Sequence, residues 1–261
     1  VQTVNAVVLS GGSAYGLAAA DGVMRYLEEH HVGYKVGTDF VVPIVPAAIL
    51  MDLDYGAPGI RPDAALGYTA CETASAAPVS QGTVGAGTGC RVGAMMGNAL
   101  ATKGGIGSAS VDLGDGLIVA ALIAVNAIGD VIDTDGQIMA GMRLPPDGKT
   151  FANMLAVMRS MARMTDAPPS QNTVIGVVAT NARLTKEETN KVAQMAQDGL
   201  ARAVRPAHTL FDGDTLFALA TGQIPANVNV IGAYAAEVVA DAIRNGIRAA
   251  TTLGDVRSYK D

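Results

Sequence analysis

The chain has 261 residues, 49% hydrophobic and 16% charged, with a net charge of -6. That balance supports a buried core and leaves no basic face for a phosphate backbone, so nucleic acid is excluded as a partner. The longest apolar run near the middle, Leu117 to Val125, falls far short of the roughly 20 residues that span a bilayer, so no membrane partner is expected and a cytoplasmic location is the default.

Val4 to Leu9 is a short β-branched run, and "SGGSAYG" turns it into a helix expected from Ala14 to about His30. Phe40 to Leu53 is apolar but carries Pro43 and Pro46, which predicts an edge or irregular strand. Asp63 to Ala77 reads as helix. Glycines crowd Gly82 to Ser110, as expected for tight backbone approach or repeated turns. Gly116 to Asp133 is a long buried strand or a strand pair, and Phe151 to Met164 is helical. A proline-rich surface connection ends in Pro168-Pro169-Ser170-Gln171-Asn172. Then come a strand over Thr173 to Thr180, a capping box at Thr185-Lys186-Glu187-Glu188 opening a helix to about Arg202, a strand over Thr215 to Gly222 and a final helix over Asn227 to Thr251. Strands alternate with helices, so the class is α/β and one globular unit is expected.

Several chemistries lack their residues. His30, His31 and His208 have no metal spacing, and Cys71 and Cys90 form neither a disulfide framework nor a metal motif; both read as buried or half-buried thiols. In Gly11-Gly12-Ser13-Ala14-Tyr15 a tyrosine stands where a serine-hydrolase elbow needs its second glycine. "GAGTG" has the wrong spacing for a dinucleotide loop and no phosphate loop occurs, so neither cofactor nor metal is expected. Without a usable histidine base, a hydrolase needs another proton acceptor, and an α-amino group, with its ordinary pKa near 8, can serve. A break between Asn172 and Thr173 would put nucleophile and base on one residue. By itself Thr173 reads as an ordinary β-branched strand opener after a proline-rich loop, and composition alone favours that reading.

Five segments in order, "SGGSAYGL", "VGAGTGCRVG", "KGGIGSAS", "NTVIGVVATNA" and "FDGDTLFALATG", resemble the L-aminopeptidase/D-esterase family of self-processing N-terminal-nucleophile hydrolases. That family includes the β-aminopeptidases and the 6-aminohexanoate (nylon) oligomer hydrolase, and the resemblance runs from Val4 to about Ala242. It implies an αββα sandwich cut in front of Thr173 into an α fragment (1–172) and a β fragment (173–261) that together make one domain. It also implies a homotetramer of such pairs. Thr173 then corresponds to the nucleophile, and Asp212 and Asp214 to the acidic pair that orients it, expected to face the same way and to serve the nucleophile rather than the core. Asn126 corresponds to the oxyanion donor. Lys103 adds charge near the site or is a solvated loop lysine, and Gly11, Gly12 and Ser13 shape a pocket wall with backbone N–H groups open to a ligand.

Two positions depart from the family pattern. Ala94 stands where many relatives carry lysine, and Met51 where the nylon-oligomer enzyme has tyrosine before an aspartate. The family's opening strands would precede Val1, so the sequence is either partial or a short member. The expected activity is hydrolysis of amide bonds in short peptides or related amides, with a free amino end. Alternatives are endo-hydrolysis of nylon oligomers, acyl transfer like that of the ornithine acetyltransferases, and an unprocessed, non-catalytic scaffold.

Overall fold

A computed structural model describes residues 1–164 and 172–261, and the chain packs as two compact units, Val1–Val79 and Ser80–Asp261. The first unit contains β1 (Val8–Ser10), α1 (Ala18–Glu29), β2 (Tyr34–Val36), β3 (Phe40–Val42), β4 (Ala47–Ile49) and α2 (Ala64–Glu72). Strand β1 runs parallel to β4, β2 and β3 form an antiparallel hairpin, and α1 packs on α2. Pro43 and Pro46 lie in the break between β3 and β4, so the irregular strand expected over Phe40 to Leu53 is two short ones. The first helix begins later than expected because Ser13–Leu17 is a tighter 3₁₀ turn. The side chain of Asp63 caps α2 by accepting from the Leu66 N–H.

The second unit holds the short strands β5 (Arg91–Val92) and β6 (Thr102–Lys103), then β7 (Ile106–Asp112), β8 (Ile118–Ala124), β9 (Asp130–Ile132) and β10 (Ile138–Ala140). These are followed by α3 (Met154–Ser160), β11 (Ile175–Arg183), α4 (Lys186–Ala203), β12 (Val204–Arg205), β13 (Thr215–Pro225) and α5 (Val228–Ala249). The main sheet has the order β13-β11-β8-β7, with β11 parallel to β13 and antiparallel to β8. A parallel pair needs a crossover, and α4 lies on the connection between β11 and β13. The capping box at Thr185 and Glu188 starts α4 as its sequence predicts.

Burial alternates along β11, with Val178 and Ala182 facing the core residues Val192, Ala196 and Leu200 of α4 and Val239 and Ile243 of α5. Small residues allow this close packing. A Cβ at Gly107 of β7 would come within 1.9 Å of the Ala242 carbonyl oxygen, so α5 rests on bare strand backbone there. Cys90 is buried and Cys71 half-buried, both as free thiols. Among the described residues no helix is long and apolar enough to cross a membrane.

The run from Gly116 to Asp133 is a strand pair whose halves lie in different sheets, since β9 belongs to the β10-β9-β12 sheet. At the head of β9, Asp130 is buried, and its Oδ2 accepts the Met154 N–H that opens α3 at 2.6 Å. Its Oδ1 finds no hydrogen-bond partner among the described residues. Burial pushes this carboxyl from 3.8 up to about 6, with the Met154 N–H opposing the shift. Between those values the folded chain holds a proton that the unfolded chain has released. The contribution to stability is therefore complete below about pH 3.8 and lost as the pH rises through about 6. Asp130→Asn, neutral at every pH, is expected to melt above the parent at pH 8 and to lose that advantage at pH 5. A melting difference that is the same at both pH values would contradict this account.

Candidate active site

Three segments converge at one end of the main sheet. Because β8 is antiparallel to β11 and β13 is parallel to it, the residues just after β8 and just before β13 both flank the start of β11. They are Asn126, Thr173 and the Asp212-Gly213-Asp214 turn. Asn126 lies two residues beyond β8 rather than inside a strand, and Thr173 two residues ahead of β11 rather than in it.

Asn172 forms a parallel bridge with Asp212. Its N–H donates to the Phe211 carbonyl at 3.0 Å, and its own carbonyl accepts the Gly213 N–H at 2.9 Å. One residue on, the Thr173 N–H turns to the opposite neighbour and donates to the Asn126 carbonyl at 2.7 Å. The Thr173 hydroxyl donates to the Asn172 carbonyl oxygen at 2.5 Å. The Asn172 carbonyl oxygen thus receives two donors, from Thr173 and Gly213, and both residues of the junction are buried, at 3% and 8% exposure. A linker would leave such a bond in water.

The two acids hold the frame around Thr173. Asp214 Oδ1 accepts the Val174 N–H at 2.9 Å, and Asp214 Oδ2 accepts the His208 N–H at 3.0 Å. Asp212 accepts the Ile128 N–H at 3.3 Å and the Thr209 hydroxyl at 2.6 Å. Burial raises the Asp212 carboxyl above its ordinary value against the Thr209 hydrogen bond, and the neighbouring Asp214 charge raises it further. Neither acid receives the Thr173 hydroxyl in this uncut chain. The expectation that they serve only the nucleophile needs correction, because Asp214 also satisfies a buried strand N–H.

Asn126 is fully buried and its Oδ1 accepts the Arg91 N–H at 2.9 Å, which fixes the side-chain amide with Nδ2 as its donor end. Arg91 pairs with Lys103 across the β5–β6 ribbon. Lys103 is not a solvated loop lysine. It is fully buried, and its ammonium donates to the carbonyls of Gly87, Cys90 and Gly104 at 2.8, 2.8 and 3.0 Å. Lys103→Met would leave the Gly104 carbonyl without its donor, at about 1–3 kcal/mol for a buried group left unpaired, while the Gly87 and Cys90 carbonyls keep the Cys90 and Gly104 N–H groups. A melting temperature lower than the parent's by several degrees is the expected result, and an unchanged one would contradict it.

Gly11, Gly12, Ser13 and Met51 belong to the first unit. The Gly12 N–H, expected to be open to a ligand, instead donates to Asp52 Oδ1 at 2.7 Å. A Cβ at Gly11 would lie 2.3 Å from the same carboxylate, which explains why that position is glycine. Ala94, half-buried, begins a 3₁₀ turn, Ala94–Met96, in the second unit. Sequence reasoning missed His208, whose Nδ1 lies 3.2 Å from Asp214 Oδ2. Its left-handed backbone, φ 57, leaves no sequence signal, and a search for metal spacing passes over it. Among the described residues no three His, Cys, Asp or Glu side chains group as metal ligands.

The model of peptidase family S58 matches residues 1–260. The chain belongs to peptidase family S58. An uncharacterized aminopeptidase of Mycobacterium leprae is 42% identical over 289 residues, covering 99% of this chain and 75% of its own length. The 6-aminohexanoate-oligomer endohydrolase of Paenarthrobacter ureafaciens is 30% identical over 258 residues, covering 92% of this chain and 70% of its own. Among solved structures, the L-aminopeptidase D-Ala-esterase/amidase of Ochrobactrum anthropi, described as a variant of the Ntn hydrolase fold, superposes with a TM-score of 0.67 at 21% identity. The superposition covers 94% of this chain and 67% of that one. This S58 chain spans about two thirds of the length of the solved structures it resembles. It has the α/β fold of the N-terminal-nucleophile hydrolases, as the five sequence segments imply, and S58 is a family of enzymes that hydrolyse peptide or amide bonds.

Proposed function

We propose that this S58 protein is a self-processing amidohydrolase whose nucleophile is the N-terminal threonine freed by cleavage between Asn172 and Thr173, acting on amide bonds of short peptides or related amides. The observation that carries the reading is the geometry of one carbonyl. Asn172 C=O accepts both the Thr173 hydroxyl and the Gly213 N–H. Attack of Thr173 Oγ1 on the Asn172 carbonyl carbon forms a C–O bond, and the oxygen that gains charge already faces the Gly213 N–H. Collapse breaks the C–N bond, the nitrogen takes the hydroxyl proton and becomes the α-amino group, and water hydrolyses the resulting ester.

In the cut enzyme the α-amino group of Thr173 keeps the Asn126 carbonyl as its acceptor, which holds it beside the hydroxyl it deprotonates. The threonine oxygen attacks the substrate amide, the amine leaves with the proton, and water releases the acyl ester. Asn126 Nδ2 and the Gly213 N–H serve as oxyanion donors. Asp214 fixes the strand through Val174, and Asp212 braces the turn through Thr209 and Ile128. The test is to quench a reaction with a slowly deacylating aminoacyl ester and locate the adduct by mass spectrometry. The acyl group is expected on the peptide that begins at Thr173; an adduct on any other residue would refute the assignment.

A further inference from the structure

The residue ahead of the junction occupies the place of a first substrate. Asn172 is seated by two backbone contacts to residues two apart, its N–H on the Phe211 carbonyl at 3.0 Å and its C=O on the Gly213 N–H at 2.9 Å, and it is 3% exposed. Its carbonyl carbon is the one attacked in the processing reaction proposed above, and its carbonyl oxygen accepts the Thr173 hydroxyl. Cleavage turns that carbonyl into a carboxylate next to the carboxyl groups of Asp212 and Asp214, and repulsion among neighbouring carboxyl groups favours its departure. The Phe211 carbonyl and the Gly213 N–H are then left as a vacated strand edge with one acceptor and one donor.

We infer that the Phe211 carbonyl and the Gly213 N–H form the acyl-side subsite of the mature enzyme, which takes an α-aminoacyl unit in the extended conformation left by Asn172. This rests on the self-processing reading above and adds to it a definition of the substrate. A carbonyl and an N–H separated by one carbon match the two groups, and extended chains add to open strand edges in this way. In the precursor the nitrogen on Phe211 is a peptide nitrogen, so the subsite requires an N–H and not a free ammonium. Acylated aminoacyl units are therefore substrates, and attack inside a chain is allowed.

The test uses the processed protein and three anilides of one shape: L-asparagine 4-nitroanilide, its N-acetyl derivative, and the succinamic acid 4-nitroanilide that lacks the nitrogen. Both nitrogen-bearing anilides should release nitroaniline, and the des-amino analogue should lose about tenfold or more in kcat/KM, because the Phe211 carbonyl, covered by the bound substrate, is left without a donor. Des-amino turnover within twofold of the asparagine anilide, rejection of the N-acetyl anilide, or inertness of all three towards a cut enzyme overturns the subsite. The parent reading is checked on the same samples by N-terminal sequencing and by Thr173→Ala. An uncut chain, or hydrolysis that survives Thr173→Ala, brings down the nucleophile assignment, whereas a cut, threonine-dependent enzyme with the wrong anilide order brings down the subsite alone.

Discussion

Thr173→Ala is expected to leave the 261-residue chain in one piece and to lower amide hydrolysis by roughly 10⁴-fold or more, since it removes the attacking atom from both reactions. Stability should change little. The hydroxyl's partner is the adjacent carbonyl of Asn172, and that carbonyl keeps the Gly213 N–H after the substitution. Thr173→Ser retains the oxygen and should still cut, more slowly, because serine has lost the methyl that restricts its rotamer. Gel analysis over time separates the three proteins. Two fragments from Thr173→Ala would end the account.

Asp214→Ala is expected to lower turnover by about 10²-fold or more and also to lower the melting temperature. Its carboxylate satisfies the N–H of Val174, a fully buried residue, and that of His208. The His208 N–H is exposed and can turn to water, but the buried Val174 donor left unpaired costs about 1–3 kcal/mol, which for a chain of this size means a fall of roughly 2 °C or more. Asp214→Asn keeps an oxygen for Val174 but removes the charge. It should therefore melt closer to the parent while remaining slow. Calorimetry alongside steady-state rates distinguishes the two effects; an Asp214→Ala variant as stable and as fast as the parent would show that the carboxylate holds nothing.

The elements were legible where local chemistry alone decides them. The Thr185 and Glu188 capping box, the apolar face of α5 and the alternation of β11 all follow from neighbouring residues. Short-range reasoning failed where the partner is distant in sequence. Nothing near Lys103 in the chain reveals that its ammonium is enclosed by the Gly87 and Cys90 carbonyls, nor does "SGG" reveal that its second glycine donates to Asp52, forty residues on. The acids of "FDGDT" could be picked out by resemblance, but their division of labour could not. It depends on Val174, Ile128, His208 and Thr209, three of which carry no functional signature as residue types. Composition likewise cannot separate a strand-opening threonine from a nucleophile; the proposed role of Thr173 rests instead on the burial of the Asn172–Thr173 bond and the two donors on its carbonyl.

The most direct test of the central claim is the intact mass of the purified, active protein, together with the N-terminal sequence of whatever fragments it contains. The account predicts two species that sum to the chain plus one water, the smaller beginning Thr-Val-Ile-Gly. A single uncut species that hydrolyses amides at full rate would contradict it.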